Sequence, residues 1–264
     1  MNRKYIVDFI SYTIISFVGI LLFVLIIQTI ENNNLNEKIN KLEIEEEKLI
    51  QELKEKRINI DNEELKNMDL TDVDNLMVVA HPDDEFIFGG AHLMEDKYLV
   101  VCVTCGSDEA RALEFSSIME AYNQKYLMLN YVDVDANGNA SDWGGDIEYK
   151  ISRSLKEIVG FKHWKKIVTH NLDGEYGHWH HIATSVMITD LAKDYNESNS
   201  LYYFGKYYTK DELKNNSLEK LSDDVVQNKR RAIKKYYPSQ KWACLLLEHI
   251  YKYENWIKAS EWKK

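Results

Sequence analysis

Between Phe9 and Ile30 the chain carries no charged residue, and that run limits how everything after it can fold. Its 22 residues, at about 1.5 Å per helical residue, extend about 33 Å, against a bilayer core of about 30 Å. A secretory signal has an apolar core of only about 7–15 residues and a small-residue cleavage site. Neither is present. The expectation is a single membrane span. Arg3 and Lys4 precede it, and Glu31 and three asparagines follow. The positive-inside rule then places the amino terminus in the cytoplasm and the bulk of the chain outside, at the cell membrane.

From Leu35 to Lys66 there is neither Gly nor Pro, and Glu and Lys are dense. Leu35, Ile39, Leu42, Leu49, Leu53 and Ile60 follow a seven-residue pattern that Glu46 and Lys56 interrupt. Two readings stay open: a short parallel coiled coil that pairs two copies, or a solvated single-helix spacer. The chain thus divides into an anchor (1–30), a helical stalk (31–68) and a globular domain (69–264).

In the globular part, apolar runs rich in β-branched and aromatic residues alternate with helical patterns. Strands are expected at Leu76–Ala80, Tyr98–Thr104, Tyr126–Val134, Lys166–Thr169 and Ser200–Phe204. Helices are expected near Ser107–Asn123, Ile147–Val159 and Trp179–Tyr195, with two more after Asp223. Such alternation predicts an α/β fold with a mostly parallel sheet. Ligands of these sheets collect beyond the carboxyl ends of the strands. The net charge of -10, with no basic cluster on a recognisable motif, argues against a nucleic-acid partner. Cys102, Cys105 and Cys244 lie in apolar runs and read as buried free thiols rather than a disulfide framework.

Two segments carry the chemistry. In Val79-Ala80-His81-Pro82-Asp83-Asp84-Glu85 an apolar strand runs directly into one imidazole and three carboxylates. Proline and acids at a helix start are also ordinary amino-terminal chemistry. The second segment is Thr169-His170-Asn171-Leu172-Asp173-Gly174-Glu175-Tyr176-Gly177-His178-Trp179-His180-His181. His178 and His181, three apart, share a helix face; His180 is turned away, as a surface or supporting residue. Together the segments offer nitrogen and oxygen donors from two strand ends, the donor set of a catalytic zinc or another divalent ion such as Fe2+. Trp143 and Trp179 are candidate stacking platforms for a sugar ring, and Asp133 and Asp135 candidate partners for its hydroxyls.

Ala80-His81-Pro82-Asp83-Asp84-Glu85 resembles the first motif of the LmbE-like, or PIG-L, deacetylase family, and Gly177-His178-Trp179-His180-His181 resembles its second. Thr104-Cys105-Gly106 with Arg111 and Glu114, and Tyr237-Pro238-Ser239-Gln240, are similar to two supporting elements. The resemblance runs roughly from Asn75 to Tyr253. It implies a Rossmann-like fold and a zinc-dependent N-deacetylase. By this likeness His81, Asp84 and His181 bind zinc and Asp83 is the general base. His178, protonated, faces the developing oxyanion or leaving amine; Tyr176 assists, and Arg111 contacts substrate. The implied substrate is an N-acetylglucosamine unit of a glycan or glycolipid.

Overall fold

The computed structural model describes Thr29 and residues 33–48, 63–135 and 137–263. The chain divides into two compact units, residues 1–59 and 60–264. In the first, residues 33–48 form a helix along which Leu35, Ile39 and Leu42 are exposed. Apart from Thr29, the Phe9–Ile30 run lies outside the described residues, as do Leu49, Leu53 and Ile60 of the seven-residue pattern. Among the described residues no helix is long and apolar enough to cross a membrane.

The second unit is an α/β domain. Its strands are β1 (Asn75–Val79), β2 (Tyr98–Thr104), β3 (Lys125–Tyr131), β4 (Lys166–Thr169), β5 (Leu201–Tyr203) and β6 (Ile257–Lys258). They form one sheet in the order β3-β2-β1-β4-β5-β6, parallel except for the antiparallel edge strand β6. The helices are α1 (Asp84–Glu95), α2 (Glu109–Ala121), α3 (Asp146–Val159), α4 (Trp179–Asp194), α5 (Asp223–Tyr236) and α6 (Lys241–Leu247).

The two-residue period of the strands sorts side chains onto two faces. Leu76, Val78, Leu99 and Val101 join Ile151 and Leu155 of α3 and Ile188 of α4 in one core. Met77, Val79, Val100 and Cys102 join Phe86 of α1, Phe115 of α2 and Ile233 of α5 in the other. Both faces are covered, so β1 and β2 are apolar apart from Asn75 and Thr104 at their ends, the mark of central parallel strands. The result is a Rossmann-like three-layer domain whose core begins at Leu65 and Leu70. β3 ends at Tyr131 rather than Val134, because the chain then turns into a loop tied back by Trp143 Nε1 donating to the Val132 carbonyl (2.9 Å). All three cysteines are buried and free.

Two elements extend the expected pattern: α1, which follows the acidic segment directly, and the two-residue β6. The segment leading to β6 is fastened by a buried ion pair. Lys229 of α5 and Glu254 are both fully buried, 2.5 Å apart, and Glu254 also accepts from the Ala91 and His92 backbone in α1. At Gly205, a β-carbon would sit 2.5 Å from the Asn255 carbonyl, so only glycine lets this segment approach.

Burial alone would raise the Glu254 pKa, but Lys229 and His92 bring it down to about 2, from an ordinary 4.5. A depressed carboxylate contributes stability fully above pH 4.5 and loses it as pH falls toward about 2. Glu254→Ala, which strands a buried ammonium, is expected to cost about 3–5 kcal/mol in denaturant unfolding. The variant should also lose much of the acid sensitivity between those two pH values.

Candidate metal centre

β1 and β4 are neighbours in the sheet, and the strand order reverses between them. A crevice opens beyond the carboxyl ends at such a switch point. Both chemical segments emerge there. After β1, the chain turns through His81, Pro82 and Asp83 into α1, and Thr104 Oγ1 pins the Ala80 carbonyl (2.8 Å). After β4 comes buried His170, then a single helical turn at Gly174–Gly177, then α4 with His178 as its N-cap. Gly177 has a φ of +90°, a conformation open to glycine, and it frees the chain to bend into that cap.

Three donor atoms meet in this crevice. His81 Nδ1 lies 3.2 Å from Asp84 Oδ2 and 3.2 Å from His181 Nε2, and the last two are 3.3 Å apart. Ligands held at about 2.0–2.1 Å on a tetrahedral zinc stand about 3.3–3.4 Å from one another. The triangle fits.

The hydrogen bonds around it fix which nitrogens are bare. His180 Nε2 donates to the Ser141 carbonyl (2.9 Å), which leaves His180 Nδ1 as an acceptor. His81 Nε2 faces that Nδ1 at 3.0 Å and Asp133 Oδ1 at 3.2 Å, so the His81 proton sits on Nε2. His81 Nδ1 therefore presents a lone pair. His181 Nδ1 donates to Glu175 Oε2 (2.6 Å), so His181 Nε2 presents another. Each imidazole thus carries a carboxylate behind it, the support that orients histidines on metals. Asp84 completes the set as an anion: burial opposes its charge, but any proton carried by His181 or His170, together with the His81 backbone N–H donating to Oδ2 (2.9 Å), holds its pKa well below the ordinary value. Three lone pairs aimed at one another repel unless positive charge lies between them. The cluster could hold a metal ion.

Further histidines surround it, and the described residues contain three overlapping groups able to hold a metal ion, all drawn from this region. His170 lies under the triangle, stacked on His181 with ring centres 3.8 Å apart. Burial lowers its pKa, yet Glu175 and Asp84 together push it up to about 9. The Ala80 N–H, however, points at His170 Nε2 from 3.0 Å, which keeps that nitrogen an acceptor and the ring neutral. His170 and Glu175 are supports that the sequence did not single out; their signal was their position immediately after β4.

Asp83 sits beside the triangle under strain. Its φ of +121° is exceptional for a residue with a side chain. Glu85 holds the turn by accepting from the Asp83 N–H (3.1 Å), and the Tyr237 hydroxyl donates to the other Glu85 oxygen from 152 residues away. Burial, then the neighbouring Asp84, pushes the Asp83 carboxyl well above the usual range. Burial likewise lifts Glu85 to about 7. Glu114 accepts from the Ser239 backbone and hydroxyl, so the two supporting sequence elements meet as well.

The other expected site residues divide into two sets. Tyr176 and Trp179 are about half exposed beside the histidines, with the Tyr176 ring 5.6 Å from that of His181. Burial and the nearby carboxylates raise the Tyr176 pKa, so its hydroxyl keeps its proton. His178 is neutral rather than protonated: burial, with His81 and His181 beside it, brings its pKa down to about 3. Its Nδ1 accepts from the His180 N–H (3.2 Å), so its proton is on Nε2. Trp143 is not an open platform. It is 1% exposed and stacked on His180, ring centres 3.9 Å apart. His180 is correspondingly a buried support, not a surface residue. Asp133 is occupied by Arg111 and His81 instead of awaiting a hydroxyl, and Arg111 also contacts Cys105 Sγ at 3.1 Å. Asp135 is exposed and caps its own turn through Asn137 and Asn139.

Asp84→Ala is expected to abolish stoichiometric zinc uptake, measured by atomic emission on dialysed protein. Glu175→Gln, which removes only the support behind His181, should weaken zinc affinity about 10–100-fold in competition with a chelator dye.

No family model matches the chain. An uncharacterized protein of Acanthamoeba polyphaga mimivirus is 33% identical over 183 residues, a match spanning 62% of this chain and 75% of the viral protein. That extent of likeness makes the chain a member of the same family as the viral protein.

Proposed function

We propose that the domain hydrolyses the acetamide of an N-acetylglucosamine unit in a surface glycan or glycolipid, releasing acetate, with zinc as its metal. The observation that carries this reading is the triangle of bare donors on His81, Asp84 and His181, with a strained, buried carboxyl next to it. Zinc held by these three residues supplies Lewis acidity toward an amide carbonyl and makes water a usable nucleophile near neutral pH.

The chain's own groups then have defined tasks. Water oxygen adds to the acetyl carbon while Asp83 takes its proton. Burial and the neighbouring Asp84 raise the pKa of this carboxyl, which makes it a stronger base than an ordinary aspartate. Negative charge on the former carbonyl oxygen is met by the Nε2–H of neutral His178 and by the Tyr176 hydroxyl, both donors without net charge. The C–N bond breaks, and the sugar nitrogen leaves with the proton that Asp83 returns. Trp179, exposed beside His178, offers a flat surface for a sugar ring. Arg111 acts on the site through Asp133, holding the carboxylate that keeps His81 Nε2 protonated.

The uncharged Phe9–Ile30 run supports a membrane anchor with the amino terminus inside, which would keep the domain near an immobile surface substrate. The exposed Leu35, Ile39 and Leu42 leave pairing of two copies through the stalk as part of the same reading.

The test is acetate release from N-acetylglucosamine oligomers by metal-loaded Asp83→Asn, a shape-conserving change. Activity is expected to fall about 10²–10⁴-fold with zinc content unchanged. Undiminished turnover by a variant that keeps its zinc would remove Asp83 from the reaction.

A further inference from the structure

Helix α6 tucks Cys244 and Leu247 inward and leaves Trp242, Leu245 and Leu246 at 78%, 56% and 55% exposure. These three are spaced i, i+3 and i+4, so they share one face. Single exposed apolar residues are ordinary; three adjacent ones including a tryptophan are a patch. Along the chain the charge beside them is one-sided, although Glu114 of α2 is hydrogen-bonded to Ser239. From Asn228 to Leu247 the chain carries Arg230, Arg231, Lys234, Lys235 and Lys241 besides buried Lys229, and no acid. Glu248 follows and is paired with Arg230 at 2.6 Å. This lies in a chain whose net charge is -10. Arg230, Lys234, Lys241 and Leu245 line a common cavity of about 490 Å³ with Tyr237 and Tyr251, so α5 and α6 form a single corner.

We propose that this corner docks on a membrane surface bearing anionic lipid headgroups. Trp242, Leu245 and Leu246 enter the interfacial layer, and Arg231, Lys234, Lys235 and Lys241 meet the headgroup charges. Tryptophan favours that layer because its ring is apolar and its N–H is polar. Lysine and arginine can bury their stems there while the charged ends stay at headgroup level. A symmetric pairing with a second copy would instead bring the same cations face to face. Tyr237 lines this cavity and also holds Glu85, so a docked corner lies beside the candidate metal centre. The proposal does not depend on the reaction catalysed there.

The full chain is reconstituted into vesicles containing phosphatidylglycerol and a phosphatidylcholine that carries a nitroxide quencher near the headgroup. Tryptophan emission of the wild type is compared with that of Trp242→Phe, which isolates one ring from the other five tryptophans. Extra quenching in the wild type is expected. It should shrink in vesicles of phosphatidylcholine alone, and at about 1 M salt, where the screening length falls to about 3 Å. Lys234→Glu with Lys241→Glu should reduce it too, since each cation at an anionic surface favours contact about fivefold. Equal quenching of wild type and Trp242→Phe overturns the proposal, whether water or a second copy covers the ring. Quenching indifferent to lipid charge and to salt overturns the anionic surface as the partner. The salt series needs no variant, so it decides even if charge reversal disturbs folding.

Discussion

The convergence of three donor atoms, each within 3.3 Å of the other two, is the constraint around which the candidate site is arranged. His81 and His181 are each forced into one tautomer by an acceptor behind the ring, and Asp84 is held ionised between them. Neither imidazole can rotate its bare nitrogen away without breaking a buried hydrogen bond. The chain from Ser141 through His180 to His81 is therefore as much a part of the centre as the three donors. So is the pair formed by Glu175 and His181.

Backbone strain gathers at the same place. Among the described residues, five other than glycine have positive φ: Asp83, Cys105, Asn123, Glu175 and Asn196. The two asparagines follow helices, where that side chain tolerates the left-handed region. The other three follow β1, β2 and β4, around the crevice. Each such residue costs on the order of 1–3 kcal/mol and persists only when its surroundings fix it. The Glu85–Tyr237 link, the Arg111–Cys105 contact and the Glu175 hydrogen bonds are those surroundings. The domain tolerates strain at the strand ends because the parallel sheet and its two cores bear the stability elsewhere.

Much of this was legible in the sequence, for definite reasons. Central parallel strands buried on both faces read as apolar runs, so β1 and β2 stand out, and β4 shows more faintly as the pair Ile167-Val168 between Lys166 and Thr169. The helix α1 was masked by its own beginning: Asp83, Asp84 and Glu85 read as chemistry, and Gly89-Gly90 lowers helical preference in its middle. β6 is two residues long and set by pairing with β5, which no local pattern announces. His81, Asp84 and His181 could be named only because the two motifs that carry them, 100 residues apart, resemble those of a known family; their supports could not. Trp143 and Asp133 looked available because loop residues usually are; the fold stacks one under a histidine and pairs the other with Arg111. The charge state of His178 depends on neighbours distant in the chain, and no motif encodes it.

The late position of Tyr237 and Glu254 has a consequence for how the protein is made. Both close contacts with the α1 region across more than 150 residues, 152 for Tyr237 to Glu85 and 163 for Glu254 to Ala91. A nascent chain emerging from the ribosome therefore exposes the Asp83 turn long before anything can brace it. Closing loops of that length is slow relative to local helix formation. The centre acquires its final shape only after the segment bearing Tyr237 and Glu254 has been made, and a chain released before that point has the donors without the frame that aims them.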